Sequence, residues 1–304
     1  MFRGGAGRRL GVLGGDGATV VDVAAVAAAA GERAPADLLA LIDEGDDGLR
    51  RVAALLERPE AASGPAVRPL EGLELLPPLD PPRGNVLAIG RNYAKHAAEA
   101  ASARGAEPAP PTIFTKAITT IAGPHADIPF DAGVSEQIDW EVELGVVIGR
   151  RGVNIARERA LDHVFGYTVI NDVTARDIQS GWGGQFFKGK SLDGSCPSGP
   201  WVVTRDEVAD PQRLRLRLVV NGEVKQDAST EDMIYAVDAV VSWLSVGMTL
   251  LPGMLVATGT PEGVGFARKP PEFLRPGDVV EAEVEGIGVL RNRVAAVQSP
   301  LAKV

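Results

Sequence analysis

The 304-residue sequence contains few of the side chains that bind soft metals: one cysteine, Cys196, and three histidines. A single cysteine excludes an intrachain disulfide and a multi-cysteine zinc site, and so few imidazoles disfavour a histidine-rich site. Any metal bound here therefore needs oxygen ligands, which favour hard cations such as Mg²⁺ or Mn²⁺.

The sequence also lacks long apolar runs and an excess of positive charge. No stretch approaches the roughly 20 apolar residues of a membrane-spanning helix. The formal net charge of −9 gives no support for binding to nucleic acid phosphates. Near the N-terminus, arginines precede an Ala/Val-rich stretch as in a secretory signal, but residues 14–17 (GGDG) and Asp22 interrupt it. We therefore expect a cytoplasmic protein without membrane or nucleic-acid partners.

The hydrophobic pattern predicts a small N-terminal module followed by a larger, β-rich domain. Residues 1–75 form the module, in which a hairpin at 10–23 precedes a broken, Ala/Leu-rich helical stretch. A proline-rich linker runs to about residue 84. In residues 85–304 strands outnumber helices and do not alternate with them, which disfavours a doubly wound nucleotide-binding fold. One long helix is predicted there, over residues 229–244.

The segment DWEVELGVVIG, residues 139–149, contains the strongest candidate for a metal site. Alternation along a strand places Glu141 and Glu143 on one face, opposite an apolar face. Adjacent carboxylates raise each other's proton affinity unless a cation lies between them. Asp172 follows an apolar run where a strand meets a loop, and it can supply a third carboxylate for an octahedral Mg²⁺ or Mn²⁺ ion. An exposed edge strand and a helix-capping role for Asp172 remain the alternatives.

Three further segments carry candidate polar groups. His96 and Glu99 share a helix face, so Glu99 can orient the imidazole as a general base for water; a solvated helix face is the alternative. Lys190, near Lys188 in FFKGKSLDG, either stabilises developing negative charge or lies in an exposed loop. The segment TGTPEGVG, which includes Thr260, either binds a carboxylate through its N–H groups and hydroxyl or forms a simple tight turn.

Taken together, these segments resemble the fumarylacetoacetate hydrolase superfamily, and within it the acylpyruvate-hydrolase-like branch. The resemblance lies in a colinear series of motifs: GRNYAKHAAE, DWEVELGVVIG, GYTVINDVTARDIQ, GKSLDGSCPSGPWVVT, VNGEVKQDAST and PGMLVATGTPEGVG. It implies a β-rich α+β fold, with a mixed β-roll catalytic domain over residues 85–304. It also implies a homodimer.

The resemblance further implies roles for individual residues. It places a divalent metal, Mg²⁺ or Mn²⁺, on Glu141, Glu143 and Asp172. It makes His96 and Glu99 a water-activating pair on a lid. The remaining roles that it assigns are enolate stabilisation by Lys190 and substrate contacts by Gln179, Thr260, Arg91 and Arg176.

The function that we expect from the sequence is metal-dependent hydrolysis of a carbon–carbon bond. The substrate is a 2,4-dioxo acid, either an acylpyruvate or a diketo-deoxy-sugar acid, and the products are pyruvate and a second acid. Decarboxylation or isomerisation of oxaloacetate or a related 2-oxo acid is the alternative, because these reactions use the same chelate and the same enolate stabilisation. A sugar-acid or metal-binding module without turnover is the alternative outside enzymology.

Overall fold

The computed structural model describes residues 1–5, 7–95 and 111–297, and within them strands outnumber helices. The strands are β1 (Phe2–Gly4), β2 (Gly7–Arg9), β3 (Gly11–Leu13), β4 (Thr19–Asp22), β5 (Val67–Pro69), β6 (Val86–Gly90), β7 (Thr112–Lys116), β8 (Ile121–Ala122), β9 (Ile128–Phe130), β10 (Ile138–Asp139), β11 (Val142–Ile148), β12 (Val164–Asn171), β13 (Thr174–Ala175), β14 (Cys196–Thr204), β15 (Arg215–Val220), β16 (Glu223–Ser229), β17 (Leu255–Ala257), β18 (Val279–Val284) and β19 (Gly288–Ala296). The helices include α1 (Val23–Ala29), α2 (Leu38–Leu56), α3 (Pro59–Ala62), α4 (Arg176–Gly181) and α5 (Val237–Leu244). Within the described ranges, no helix is long and apolar enough to cross a membrane.

The N-terminal region combines a three-stranded sheet, in the order β3-β4-β5, with helices α1 to α3. The hairpin predicted at residues 10–23 is confirmed, because β3 and β4 pair antiparallel. Asp22 ends this hairpin and caps α1, since its side chain accepts a hydrogen bond from the N–H of Ala25. Helix α2 is kinked at Gly45, which has a φ of 58°. The division into residues 1–75, a linker to about 84 and residues 85–304 stays a prediction.

Two larger sheets form the rest of the fold. One has seven strands in the order β7-β6-β17-β11-β12-β14-β8, and the other has five in the order β16-β15-β18-β19-β9. Both are mixed: β6 and β17 pair parallel in the first, as do β9 and β19 in the second, whereas most neighbours pair antiparallel. The predicted fold class, a β-rich α+β protein with a mixed β-roll, is confirmed.

Strand β11 divides its side chains between two environments. One face is apolar and fully buried in the core that the two sheets share; its members are Val142, Leu144, Val146 and Ile148. On the other face, Val147 belongs to a second apolar cluster that includes residues of α1 and α2. Glu141 and Glu143 lie on this second face, towards the other end of the strand. The N-terminal helices therefore cover only part of the face that carries the two glutamates.

The helix predicted over residues 229–244 forms in two parts: Ser229 caps a single 3-10 turn at Thr230–Asp232, and α5 begins only at Val237. The prediction is therefore wrong for residues 233–236. The cause is Asn92. Its main-chain oxygen accepts the N–H of Ile234 at 2.7 Å, and its side-chain oxygen accepts the N–H of Tyr235 at 2.8 Å. Because these N–H groups bond to Asn92, they are not available for helical hydrogen bonds in this segment.

Candidate active site

The pairing of β11 with β12 brings three acidic side chains together. In this antiparallel ladder Glu143 lies opposite Ile170, and just beyond the end of the ladder the N–H of Asp172 donates to the main-chain oxygen of Glu141 at 2.8 Å. Glu141 and Asp172 are thus cross-strand neighbours on the face that also carries Glu143. One carboxylate oxygen from each of the three residues lies within 4.8 Å of the other two. The edge-strand alternative is wrong, because β11 has a neighbouring strand on both sides.

These three carboxylates are almost completely shielded from water: Glu141 is 4% exposed, Glu143 is 2% exposed and Asp172 is fully buried. Burial, together with the charges of Asp172 and Glu141, raises the pKa of Glu143 well above its ordinary value. A hard dication would relieve this repulsion, and an all-oxygen donor set of three carboxylates fits Mg²⁺ or Mn²⁺. The donor chemistry of the cluster therefore agrees with a divalent metal site.

Within the described residues, three buried cations contact the cluster, and two of them, Lys190 and Arg176, also line the pocket, whereas Lys116 contacts Asp172 from outside that lining. The Nζ atom of Lys190 lies 2.7 Å from Oε2 of Glu141 and 2.7 Å from Oδ2 of Asp172. An Nη atom of Arg176 lies 2.6 Å from Oε1 of Glu141. Burial by itself would lower the pKa of Lys190, but the charges of Asp172 and Glu141 outweigh it and the pKa is raised. The exposed-loop alternative for Lys190 is wrong, because the residue is only 2% exposed.

Asp139, which the sequence analysis did not include among the site residues, fixes the position of Arg176. Its Oδ2 atom accepts a hydrogen bond from Nε of Arg176 at 2.7 Å. The same carboxylate also accepts the N–H groups of Gly265 at 2.7 Å and Phe266 at 3.0 Å. The Arg176 guanidinium in turn lies 4.4 Å from the centre of the Phe266 ring. The signal that was available is the spacing, since Asp139 precedes Glu141 by two residues as Glu141 precedes Glu143.

A pocket with a volume of about 200 Å³ lies over this arrangement. Glu141, Glu143, Arg176 and Lys190 contribute to its lining, whereas Asp172 lies beneath them and is fully buried. The lining also includes two phenylalanines, Phe114 and Phe186, whose rings meet edge to face at 5.6 Å, and the predicted substrate-binding residues Arg91, Gln179 and Thr260.

The surroundings of Gln179 and Thr260 determine how each can meet a ligand. The side-chain oxygen of Gln179 accepts a hydrogen bond from Arg176 at 3.1 Å, which directs its NH₂ group elsewhere as a donor. The hydroxyl of Thr260 donates to the main-chain oxygen of Val142 at 2.9 Å and accepts from Gln226 at 2.8 Å. A carboxylate can only accept hydrogen bonds. The Thr260 hydroxyl has a single proton, so it cannot bind a substrate carboxylate while it donates that proton to Val142.

The predicted pair His96 and Glu99 lies outside the described residues. The remaining predicted residues of the site come from five separate segments of the chain, and all of them except Asp172 line the one pocket. The chemistry that this arrangement permits is the binding of an anionic ligand next to a carboxylate-bound cation, with fixed positive charge from Lys190 and Arg176.

The fold and the site together define a β-roll protein with a pocket above three buried carboxylates. The chain matches the family model described as "Fumarylacetoacetate (FAA) hydrolase C-terminal" over residues 85–295. It therefore belongs to the fumarylacetoacetate hydrolase family, as its motifs predict. Members of this family are enzymes and commonly bind a divalent metal ion.

Relatives with different activities resemble most of the chain. "Oxaloacetate tautomerase YisK" of Bacillus subtilis (strain 168) is 42% identical over 267 residues, which is 86% of this chain and 88% of that protein. The structure of "Fumarylacetoacetate hydrolase (EaFAH)" from psychrophilic Exiguobacterium antarcticum is 39% identical, with 97% of this chain and 98% of that chain covered and a TM-score of 0.81. The structure of maleylpyruvate hydrolase from Sphingobium sp. SYK-6 is 29% identical, with 98% of both chains covered and a TM-score of 0.75. Hydrolases and isomerases thus share this fold.

Proposed function

We propose that the chain is a metal-dependent enzyme that interconverts the keto and enol forms of a small 2-oxo acid, with oxaloacetate as the substrate. The observation that carries the proposal is the pair of buried cations, Lys190 and Arg176, in contact with the carboxylate cluster at the pocket. An enolate forming there would lie next to fixed positive charge in a site of low water content. The similarity to oxaloacetate tautomerase YisK over 86% of the chain supports the choice of substrate and reaction.

Glu141, Glu143 and Asp172 would hold the metal ion, and the ion when bound would polarise the 2-oxo group as a Lewis acid. Mg²⁺ and Mn²⁺ both accept carboxylate oxygens, so both are candidates. Removal of metal with a chelator, followed by titration with each ion, would identify the one that restores turnover.

Side chains of the pocket bind the substrate and stabilise the negative charge that develops on its 2-oxo oxygen. The Lys190 ammonium can donate a hydrogen bond to the 2-oxo oxygen as negative charge develops on it. Arg91, which is exposed, and the NH₂ group of Gln179 line the same pocket and can donate to the carboxylate groups of the substrate. A small dicarboxylate would thus be oriented with its 2-oxo group towards the carboxylate cluster.

The reaction moves one proton and consumes no second reactant. A C–H bond at C3 breaks, an O–H bond forms on the 2-oxo oxygen, and the composition of the molecule is unchanged. Lys190 donates a hydrogen bond to the 2-oxo oxygen. The sequence predicts the His96–Glu99 pair as a base for water, and we propose that the same pair takes the proton from C3.

The proposal is tested by following the ultraviolet absorbance of enol oxaloacetate with the purified protein. We expect faster decay of the enol to its equilibrium value with Mn²⁺ or Mg²⁺ present, and the uncatalysed rate in excess chelator. A protein that binds oxaloacetate tightly without changing this rate would favour a binding module instead. Pyruvate release, measured in parallel, would identify decarboxylation.

Hydrolysis of a 2,4-dioxo acid is the second candidate. The full-length similarity to maleylpyruvate hydrolase favours it, as does the His96–Glu99 spacing that suits activation of water. The two reactions differ in their need for water as a nucleophile. We expect acetylpyruvate to yield pyruvate and acetate only if hydrolysis operates, and His96→Ala to abolish that release.

The homodimer implied by the family resemblance also stays a proposal. Sedimentation equilibrium of the full chain would give the mass in solution directly. A dimer whose activity is lost on dilution would indicate that the partner subunit contributes to the site.

A further inference from the structure

Lys116 is a fully buried lysine that no step of the proposed reaction uses. It ends strand β7, where it lies opposite Val86 of β6, and its side chain has no exposed surface. It is not part of the pocket lining. An ionised lysine in such a place is strongly destabilising unless it is well paired, so its partners determine whether it can be tolerated there.

Three oxygens surround the ammonium, one in an ion pair and two as hydrogen-bond acceptors. Nζ lies 2.7 Å from Oδ1 of Asp172, and it donates to the main-chain oxygen of Val173 at 3.2 Å and to Oγ of Ser195 at 3.3 Å. The Ser195 hydroxyl in turn donates to the main-chain oxygen of Lys190 at 3.4 Å. Because Lys116 has no exposed surface and does not line the pocket, it is not available to a substrate.

The carboxylate of Asp172 is consequently held by a cation on each oxygen. Lys116 contacts Oδ1, and Lys190 contacts Oδ2 together with Oε2 of Glu141. Lys190 thus bridges Oδ2 of Asp172 to Glu141, the neighbouring carboxylate of the cluster. Lys116 holds the other oxygen, with its own ammonium anchored by Val173 and Ser195.

We propose that Lys116 is a positioning residue of the metal centre, which increases affinity for a divalent cation by fixing the Asp172 carboxylate in its binding orientation. The inference rests on the proposed metal site, and it does not depend on which 2-oxo acid is the substrate. Groups that orient metal ligands from behind typically change metal affinity ~10- to 100-fold when they are removed.

The direction of the effect distinguishes positioning from simple charge repulsion. A lysine ammonium close to a dication repels it, so repulsion alone predicts tighter metal binding when the lysine becomes neutral. Positioning predicts weaker binding, because Asp172 then has to be ordered by the metal itself. The two explanations have opposite signs.

The test is Mn²⁺ binding to the purified full chain, followed by the electron paramagnetic resonance signal of free Mn²⁺ and repeated calorimetrically with Mg²⁺. We expect Lys116→Met to raise the dissociation constant at least ~10-fold. Unchanged or tighter binding in folded Lys116→Met protein would overturn the proposal.

Lys225→Met is the matched control. Lys225 is also a shielded lysine between two carboxylates, with a side chain 7% exposed and Nζ 2.8 Å from Glu223 and 2.7 Å from Glu272. It touches none of the three cluster carboxylates, so its loss should change stability without changing the Mn²⁺ dissociation constant. An equal loss of metal affinity in both variants would mean that the effect is general destabilisation, and it would overturn the proposal.

If Lys116→Met does not fold, the Mn²⁺ dissociation constant of Ser195→Ala tests the proposal instead. It removes one anchor of the ammonium and leaves the ion pair with Asp172 in place, so we expect a smaller weakening, about threefold. No change in that variant would overturn the proposal, as would a wild-type protein that binds no Mn²⁺. Wild-type protein that binds Mn²⁺ but does not tautomerise oxaloacetate would refute the proposed function alone.

Discussion

Asp139 and Arg176 form a buried ion pair, with Nε of Arg176 donating to Oδ2 of Asp139 at 2.7 Å. Asp139 also accepts the N–H groups of Gly265 and Phe266, so one carboxylate holds both the guanidinium and the turn that packs on it. The pair therefore joins strand β10, helix α4 and the turn at residues 265–267 into one support for the pocket. The position of Arg176 in the pocket therefore depends on Asp139.

Asp139→Asn should weaken both the fold and the site. Removing one partner of a buried ion pair typically costs about 3–5 kcal/mol, and Arg176 is then left with only its contact to Glu141. We expect urea unfolding to show a loss of this size and kcat/KM for oxaloacetate to fall at least ~10-fold, because Arg176 loses its fixed position. Asp227→Asn is the control, since its partner Arg215 is exposed and such pairs contribute little. Equal losses of stability in both variants would contradict this assignment.

Lys190→Met should lower stability, since it breaks buried ion pairs, and it should lower the turnover of the folded protein as well. Loss of a charge that stabilises an enolate typically lowers kcat by ~10²–10³. Lys188→Met is the natural comparison, because Lys188 is exposed two residues earlier in the same segment, and we expect its kcat to stay near wild type. The measurement is the initial rate of enol decay at saturating metal. Comparable rates for the two variants would remove Lys190 from the mechanism.

The advantage that bound Mn²⁺ gives to stability should grow as pH rises. The folded-state pKa of Glu143 is raised above its ordinary value. Its stabilising contribution in chelator is therefore complete below the unfolded-state pKa and is lost as pH rises through the folded-state pKa. Metal binding requires the carboxylate form, so bound Mn²⁺ offsets that loss.

This dependence can be measured by denaturant unfolding at several pH values, with Mn²⁺ and with chelator. We expect the difference in unfolding free energy to widen by up to about 1.4 kcal/mol per pH unit for the one proton. In Glu143→Gln the difference in unfolding free energy between Mn²⁺ and chelator should be smaller and should depend less on pH. A difference that is constant with pH in the wild type would show that Glu143 is not a ligand.

Phe186→Ala should widen the range of accepted substrates. Phe186 meets Phe114 edge to face at 5.6 Å in the pocket wall, so its removal creates space for a larger group. We expect the ratio of kcat/KM for a bulky acylpyruvate to that for oxaloacetate to rise about tenfold, a change that one well-packed apolar contact can produce. Phe187→Ala, at a neighbouring exposed position, should leave the ratio unchanged. A larger pocket without any change in the ratio would mean that selectivity resides elsewhere.

The carboxylates of the cluster were accessible to sequence reasoning because their placement is local. Alternation along one strand puts Glu141 and Glu143 on the same face, and Asp172 follows directly from the end of the strand that pairs with it. Asp139 and Lys116 were not recognised, since each depends on partners distant in sequence. The bond from Gly265 to Asp139 spans 126 positions, and the one from Lys116 to Ser195 spans 79. The two-residue spacing of Asp139 and Glu141 places Asp139 near the cluster, but it does not reveal these distant partners.

The same physical reason explains the helix that was predicted too long. The apolar spacing of residues 233–244 fits a helix, but Asn92 binds the N–H groups of Ile234 and Tyr235 across 142 and 143 positions. Tertiary hydrogen bonds therefore override local propensity at that point.

The N-terminal helices pack on the same sheet face as the acidic cluster, and they therefore limit the access of water to the pocket. Val147 and Ile170 are covered by the cluster that includes α1 and α2, while the glutamates further along the same face are left for a ligand. Removing the N-terminal helices would thus expose the apolar side chains of Val147 and Ile170 next to the acidic groups. Water entering there would weaken every charge interaction on which binding depends, so segments remote from the chemistry help to keep the site dry.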